Sequence, residues 1–257
     1  GLTLRTIRLR GKVAQIRVGA TLLIDSDPEA EEQETLTKAA ALLASIKKRE
    51  KEKAIGEAVQ NDSCTGKKIL IVDHEDSFVN TLGNYIRQLG ADVVTMRYNL
   101  AYKSLIDDTY QFDAVVLSPG PGRPEQFKMQ RSIELCIKKK LPILGICLGL
   151  QGIVEYFGGT LGVLTNPRHG IKLRVDFKEL QIGNEKSMYV GLYHSLYGKE
   201  IPDSLDVIAR DEEGVVMGIR HKKIPVIAVQ FHPESILTSR NNNGLNLLNQ
   251  MFGEILY

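Results

Sequence analysis

From about Lys67 onward, short apolar runs alternate with segments in which apolar residues recur at three- and four-residue spacing. Ile69 to Val72, Asp92 to Met96, Ala114 to Leu117 and the run from Leu141 to Ile146 read as strands. Phe78, Leu82, Tyr85 and Leu89 mark one helix, and Met129, Ile133 and Ile137 mark another over about Gln126 to Lys139. This alternation predicts an α/β fold: an open, mostly parallel central sheet with helices on both faces. In such sheets the chemistry gathers at the carboxyl ends of the strands. After Gly158-Gly159 the pattern changes to shorter β-like segments. Val207 to Arg210 and Val215 to Ile219 form a predicted hairpin around Asp211-Glu-Glu-Gly214, Ile224 to Phe231 is strand-like, and a helix over about Asn243 to Ile255 closes the domain.

The first 48 residues follow another pattern. Leu4 to Arg10 and Val13 to Val18 resemble two strands turning at Gly11-Lys12. An acidic loop follows, then a helix from about Asp27 through Ile46, with Pro28 in its first turn and Asp27, Glu29, Glu31 and Glu32 at its positive end. Two short strands and one helix bury too little apolar surface to stand alone. Residues 1–48 are therefore expected to be an incomplete β-β-α segment, the tail of a larger upstream domain. Residues 49–66, charged and then rich in turn formers, read as a linker. Residues 67–257 form the main domain.

Composition narrows the setting. The 257 residues are 43% hydrophobic and 25% charged, as in ordinary globular proteins. The net charge of +2 favours neither nucleic acid nor a membrane as a partner, and neither is expected. No apolar run reaches membrane-spanning length and no leader pattern opens the chain, so a cytoplasmic location is expected. Cys64, Cys136 and Cys147 have no C-x-x-C spacing and form no even disulfide set. They suit a reducing compartment holding one working thiol.

That thiol is Cys147. In Gly145-Ile-Cys147-Leu-Gly149 a cysteine sits where a strand turns into a helix, the thiol counterpart of the G-x-S-x-G elbow, with glycines that let the two backbones approach. A helix starting at Leu148 would favour its thiolate. Downstream, the strand-like run ends in His232-Pro233-Glu234, a candidate base with a carboxylate to orient it. An isolated histidine beside a strand end is usually a satisfied core or surface residue, but together with the elbow it completes a triad. Ser118-Pro-Gly120-Pro-Gly122 follows another strand. One oxyanion donor would be the amide of Gly120 or Gly122, the other that of Leu148. Gln151 lies one helical turn beyond Cys147, within reach of a bound substrate.

Five ordered motifs, Asp73-His-Glu-Asp-Ser-Phe78, Ser118-Pro-Gly-Pro-Gly122, Gly145-Ile-Cys-Leu-Gly149, Tyr193-His-Ser-Leu196 and Phe231-His-Pro-Glu-Ser235, together resemble the class I, triad-type glutamine amidotransferases, nearest the glutaminase part of anthranilate synthases. The resemblance covers about residues 67–257. It implies that Cys147 attacks the side-chain amide of L-glutamine, forming a γ-glutamyl thioester and releasing ammonia. It further implies glutamine contacts at Gly120, Pro121, Gly122, Gln151, Ser195 and Leu196, and no cofactor for this domain. Leu4-Arg-Thr6, Gly19-Ala-Thr21 and Asp25-Ser-Asp-Pro28 with Glu34 resemble the end of a chorismate-binding synthase domain. This second likeness implies chorismate contacts at Arg5, Gly19, Ala20 and Thr21, and a carboxylate at Glu34 that holds Mg²⁺ in the complete synthase domain. The order of the two parts resembles fused anthranilate synthases and the related 2-amino-2-deoxyisochorismate synthases of phenazine pathways, for which a homodimer of the full-length fusion is compatible.

Three positions depart from the family pattern. His169-Gly-Ile-Lys172-Leu173 stands where relatives commonly carry His-Gly-Lys-x-Ser, Leu192 where an arginine often precedes Tyr-His-Ser-Leu, and Leu150 where unfused relatives often have histidine. Two other functions fit the fold: a free-standing thiol hydrolase acting on γ-glutamyl compounds, and a catalytically silent module that only stabilises a partner.

Overall fold

The computed structural model describes residues 6–10, 13–17, 29, 62–107, 110–178, 186–239 and 242–257. Contacts divide the chain into Gly1–Val59 and Gln60–Tyr257. In the first unit, β1 (Thr6–Arg10) and β2 (Val13–Arg17) form an antiparallel hairpin, with Thr6 opposite Arg17 and Arg10 opposite Val13. Apart from Glu29, the expected helix from Asp27 lies outside the described residues, as do Arg5, Gly19, Ala20, Thr21 and Glu34.

The second unit is built on one nine-stranded sheet. Its elements are β3 (Lys68–Asp73), α1 (Val79–Gln88), β4 (Asp92–Arg97), α2 (Tyr98–Ile106), β5 (Ala114–Leu117), α3 (Met129–Lys138), β6 (Ile143–Ile146), α4 (Leu148–Tyr156), β7 (Thr160–Phe177), β8 (Ser187–Glu200), β9 (Leu205–Asp211), β10 (Val216–His221), β11 (Val226–Val229) and α5 (Asn243–Leu256). The strand order is β4-β3-β5-β6-β11-β10-β9-β7-β8. The first five strands run parallel, and β10, β9, β7 and β8 extend the sheet by antiparallel pairing. The sheet is thus open and carries its parallel half where the nucleophile was expected.

Alternation along the parallel strands explains the layering. Ile69, Ile71, Val116, Leu144, Ile146, Ile227 and Val229 share a buried cluster with Val79, Leu82 and Ile86 of α1 and Leu247, Leu248, Met251 and Phe252 of α5. Leu70, Val72, Val115, Leu117, Ile143 and Ala228 point the other way, into Leu105 of α2, Met129, Ile133 and Cys136 of α3, and Leu148, Ile153 and Val154 of α4. Each fully buried aliphatic or aromatic side chain contributes about 1.5–3 kcal/mol relative to exposure. This burial on both faces is why the strands read as continuous apolar runs.

Three features differ from the sequence expectation. Helix α2 was not marked by apolar spacing, because it follows β4 with no intervening loop, buries Ala101, Ser104 and Leu105, and leaves Leu100 and Ile106 exposed. After Gly159 the chain first makes one long hairpin, β7–β8, of 18 and 14 residues where shorter segments were expected, and the expected hairpin around Asp211–Gly214 follows as β9–β10. The β7–β8 register shifts between Val163 and Arg168 and between His169 and Ile171, which absorbs Pro167 and Gly170 without ending the strand. Cys64, expected in the linker, is fully buried beside Ile69, Val79 and Leu89, and its amide donates to the Leu89 carbonyl at 3.1 Å.

Two buried histidines sit near the carboxyl edge. His74, just after β3, has Nδ1 3.2 Å from the Ser118 carbonyl; burial lowers its pKa to about 4 despite that contact. His194 of β8 donates from Nδ1 to the Leu196 carbonyl at 2.9 Å. Burial takes it to about 4 as well, with the charge of Arg168 adding to the decrease and the Leu196 bond opposing it. Arg168 is itself buried, paired with Asp211 and, at 2.6 Å, with Glu213. Both histidines are neutral at pH 7, and their Nε2 atoms have no protein partner. Because their folded pKa values lie below the unfolded value, the stability they contribute is present above about pH 6.5 and lost as pH falls toward 4. Each shift corresponds to roughly 3 kcal/mol at most. Denaturant unfolding at pH 7, 5.5 and 4 is expected to show a shallower acid loss in His74→Asn and His194→Asn than in the parent; equal losses would refute the assignment.

Candidate functional site

The site is set by the turn between β6 and α4. Cys147 has φ 53° and ψ −99°, a conformation that non-glycine residues rarely adopt and that costs on the order of 1–3 kcal/mol. Its neighbours hold it there. The Cys147 amide donates to the Val229 carbonyl of β11 at 2.8 Å, and its carbonyl accepts from the Gln151 amide at 3.2 Å. A side chain at Gly145 would come within 2.7 Å of Ile153 Cδ1 and 2.9 Å of Ala228 Cβ, and one at Gly149 would strike the Leu117 carbonyl. Helix α4 can thus cross close to the sheet only with glycine at these two positions.

The strand next to β6 brings the histidine. His232 lies just beyond β11 and bridges to Gly191 of β8, its amide donating to the Gly191 carbonyl at 3.1 Å. Thr238 closes the turn, accepting from the Gly191 amide at 2.9 Å and donating to the His232 carbonyl at 2.7 Å. The imidazole packs edge-on against Phe78 and Tyr193, each with its ring centroid 5.0 Å away. Nδ1 donates to Glu234 Oε1 at 2.8 Å, and both side chains are almost completely buried. This bond leaves Nε2 on the far side of the ring, buried and without a hydrogen-bond partner. Burial alone would lower the His232 pKa, but interactions with the Cys147 thiol and the Glu234 carboxylate outweigh it and raise the value well above the ordinary one.

Cys147 opens on a cleft of about 580 Å³ that Gly120, Pro121, Gly122, Gln151, Ser195 and Leu196 also line. The structure therefore gathers every glutamine contact expected from the sequence around the one thiol. Gly120 lies against Leu148: a side chain at 120 would meet Leu148 Cδ2 and the His74 carbonyl, each at 2.7 Å. Leu148 opens α4, where an amide has no intrahelical acceptor. Gln151 donates from Nε2 to the Leu196 carbonyl at 3.0 Å, and Ser195 Oγ is 3.1 Å from His169 Nε2 across the long hairpin.

Gln230 was missed. It is fully buried, and its Nε2 donates to Cys147 Sγ at 3.5 Å. A signal existed: it is the one amide in the otherwise apolar run from Ile224 to Phe231. Of the departures from the family pattern, Leu150 and Leu192 are fully buried in the two core clusters, and Lys172 reaches over the Tyr189 ring at 5.5 Å. Among the described residues, no cluster of three or more His, Cys, Asp or Glu side chains is arranged to hold a metal ion, and no helix is long and apolar enough to cross a membrane. A thiol, an imidazole that interacts with it and a carboxylate behind the imidazole, beside a cleft lined by Gly120 and Gly122, form the constellation of acyl transfer.

Comparison with known proteins agrees with this geometry. The family model described as "Glutamine amidotransferase class-I" matches residues 70–250, and that described as "chorismate binding enzyme" matches residues 1–44. An anthranilate synthase of Azospirillum brasilense is 45% identical over 259 residues, covering 99% of this chain but 35% of that protein, so the chain spans about a third of that relative's length. Anthranilate synthase component 2 of Methanocaldococcus jannaschii is 37% identical over 185 residues, covering 68% of this chain and 89% of that protein. The corresponding component of Archaeoglobus fulgidus is 41% identical over 172 residues, covering 66% and 90%. A solved structure described as a GMP synthase subunit from Thermoplasma acidophilum superposes with a TM-score of 0.64 at 27% identity, over 73% of this chain and 93% of that one. With its elbow cysteine, its buried His-Glu pair and a family match over most of its length, the chain belongs to the class-I glutamine amidotransferases.

Proposed function

We propose that this chain hydrolyses L-glutamine at Cys147 and delivers the ammonia to a chorismate-using synthase domain, whose last part is residues 1–48, for the synthesis of anthranilate in tryptophan biosynthesis. The observation that carries this reading is the elbow thiol beside His232–Glu234 in the wall of the cleft that all six expected glutamine contacts line.

The chemistry follows from the positions of the groups. His232 Nε2 accepts the thiol proton, and the sulfur attacks the γ-carbonyl carbon of glutamine. The carbonyl oxygen takes up the negative charge between the amides of Gly120 and Leu148. As the C–N bond breaks, His232 returns the proton to the leaving nitrogen, which departs as ammonia and leaves the γ-glutamyl thioester. Water, deprotonated by the same imidazole, cleaves the thioester to glutamate and restores the thiol. Glu234 holds the ring with Nδ1–H away from the sulfur and stabilises the imidazolium. Desolvation at this buried site strengthens each of these interactions.

Mg²⁺ belongs to the synthase half of this reading, with Glu34 as its carboxylate, and no step of glutamine hydrolysis needs it. The 2-amino-2-deoxyisochorismate product of phenazine pathways would use the same glutaminase half, because the choice of product lies in the synthase active site. The chorismate-binding likeness of residues 1–44 argues against a free-standing γ-glutamyl hydrolase, and the intact Cys147, His232 and Glu234 argue against a silent module. A cytoplasmic location and pairing of the full-length protein into a homodimer belong to the same proposal.

Cys147→Ala is expected to abolish release of glutamate from glutamine, while added ammonium still supports conversion of chorismate in the full-length enzyme; persistent glutamate release would remove Cys147 as nucleophile. A glutamine-like chloroketone should add one equivalent to the parent chain at Cys147, seen by mass spectrometry, and its failure to react would favour the silent module. Glu234→Gln, which keeps the shape but not the charge behind His232, should lower kcat by roughly 10²–10⁴-fold with little change in KM. Steady-state glutaminase kinetics check this, and an unchanged kcat would exclude Glu234 from the triad.

A further inference from the structure

The amide of Gln230 touches the proposed nucleophile, and its orientation is set from outside the triad. The Leu196 carbonyl, fixed in β8, is an acceptor and so requires the Gln151 amide to present its NH₂ group, at 3.0 Å. The same NH₂ reaches Gln230 Oε1 at 3.4 Å. Gln230 must then turn its own NH₂ to Cys147 Sγ, at 3.5 Å. Reversing it would set an oxygen against the sulfur and one donor against another. The backbone of Gln230 is anchored as well, its amide donating to the Met217 carbonyl at 2.9 Å.

We propose that Gln230 is a positioning residue that holds the Cys147 sulfur toward the cleft and stabilises its thiolate through the relay Leu196 carbonyl, Gln151, Gln230, Sγ. A hydrogen bond to an ionised acceptor is roughly twice as strong as one to a neutral acceptor. The contact therefore favours the thiolate over the thiol, and it weakens once the sulfur is acylated and loses its charge. His232 acts differently, since it moves the proton; Gln230 moves none. The relay also joins the nucleophile to the glutamine cleft, because Gln151 and Leu196 line that cleft. The part of this inference that concerns turnover rests on the glutaminase reading, whereas the part that concerns the thiol does not.

The test compares carboxamidomethylation of Cys147 by iodoacetamide in the 257-residue parent and in Gln230→Met, with the modified peptide quantified by mass spectrometry. The two remaining cysteines are poor competitors, since burial raises Cys64 to about 11 and Cys136 to about 12. At pH 7 the variant should react about two- to threefold more slowly, because a hydrogen bond of about 1 kcal/mol changes the thiolate population about fivefold and the lower nucleophilicity of a stabilised thiolate offsets about half of that on a logarithmic scale. At pH 10 the variant should react no more slowly than the parent, because a thiolate relieved of a hydrogen bond is the better nucleophile. Equal rates at pH 7, or the same slowing at both pH values as a merely structural change would give, overturns the proposal. If Gln230→Met does not fold, the Gln230 side-chain amide proton in the parent decides by NMR: it should move downfield as the Cys147 thiol ionises, and a stationary resonance overturns the relay. Glutaminase assays of a folded variant should show kcat reduced about fivefold with KM nearly unchanged. A parent chain without glutaminase activity would refute the functional reading while leaving the alkylation result to decide the role of Gln230.

Discussion

The unfavourable backbone conformation of Cys147 is the constraint on which the rest of the site depends. One residue with φ 53° ends β6 and starts α4, and a local cost of that size survives only where the surroundings over-determine it. The bond from its amide to Val229 and the close approach of α4 at Gly145 and Gly149 do so. If the turn relaxed to ordinary helical geometry, the sulfur would leave the cleft and the Leu148 amide would lose its orientation. Gln230 would lose its partner too. The strain is borne where strands β5, β6 and β11 lie side by side and the residues facing both layers are buried.

Burial alone would keep every histidine buried near this edge neutral, and the neighbours decide which one departs from that. His74 and His194 face carbonyls and, for His194, the Arg168 guanidinium; both are held well below their ordinary value. His232 is as deeply buried as they are, yet its value rises, because Glu234 and the thiol stand beside it. Similar rings at similar depth thus do different jobs. Two stay uncharged, His194 among them in the wall of the cleft, and one can hold a proton.

Much of this was legible in the sequence, and the reason differs between the two halves of the sheet. The parallel strands are covered on both faces, so they are uniformly apolar, and the motifs at their ends fall where the topology puts loops. The antiparallel half was harder to read. The β7–β8 hairpin keeps its pairing through Pro167 and Gly170 by register shifts, whereas those residues ordinarily signal a break. Helix α2 escaped because Leu100 and Ile106 face outward while Ser104 faces inward, the reverse of the usual pattern. Cys147, His232 and Glu234 were recognisable from chemistry at fixed spacing. Gln230 was not, because its importance comes from a partner 83 positions away and from amide polarity set through Gln151, neither of which has a local signature.

The strand order also bears on how the chain reaches its working state. β11 enters the sheet between β6 and β10, so the parallel and antiparallel parts of the sheet are hydrogen-bonded to each other through the strand that comes last in sequence among the described residues. Until Val226–Val229 arrives, Ile143–Ile146 of β6 is an open apolar edge, the kind of surface that recruits foreign strands. The same arrival supplies the carbonyl that holds the Cys147 amide, and the histidine and carboxylate follow within five residues. Before that strand pairs, Cys147 lacks both the Val229 carbonyl that holds its amide and the neighbouring His232. Closing the exposed edge and assembling Cys147, His232 and Glu234 are a single event.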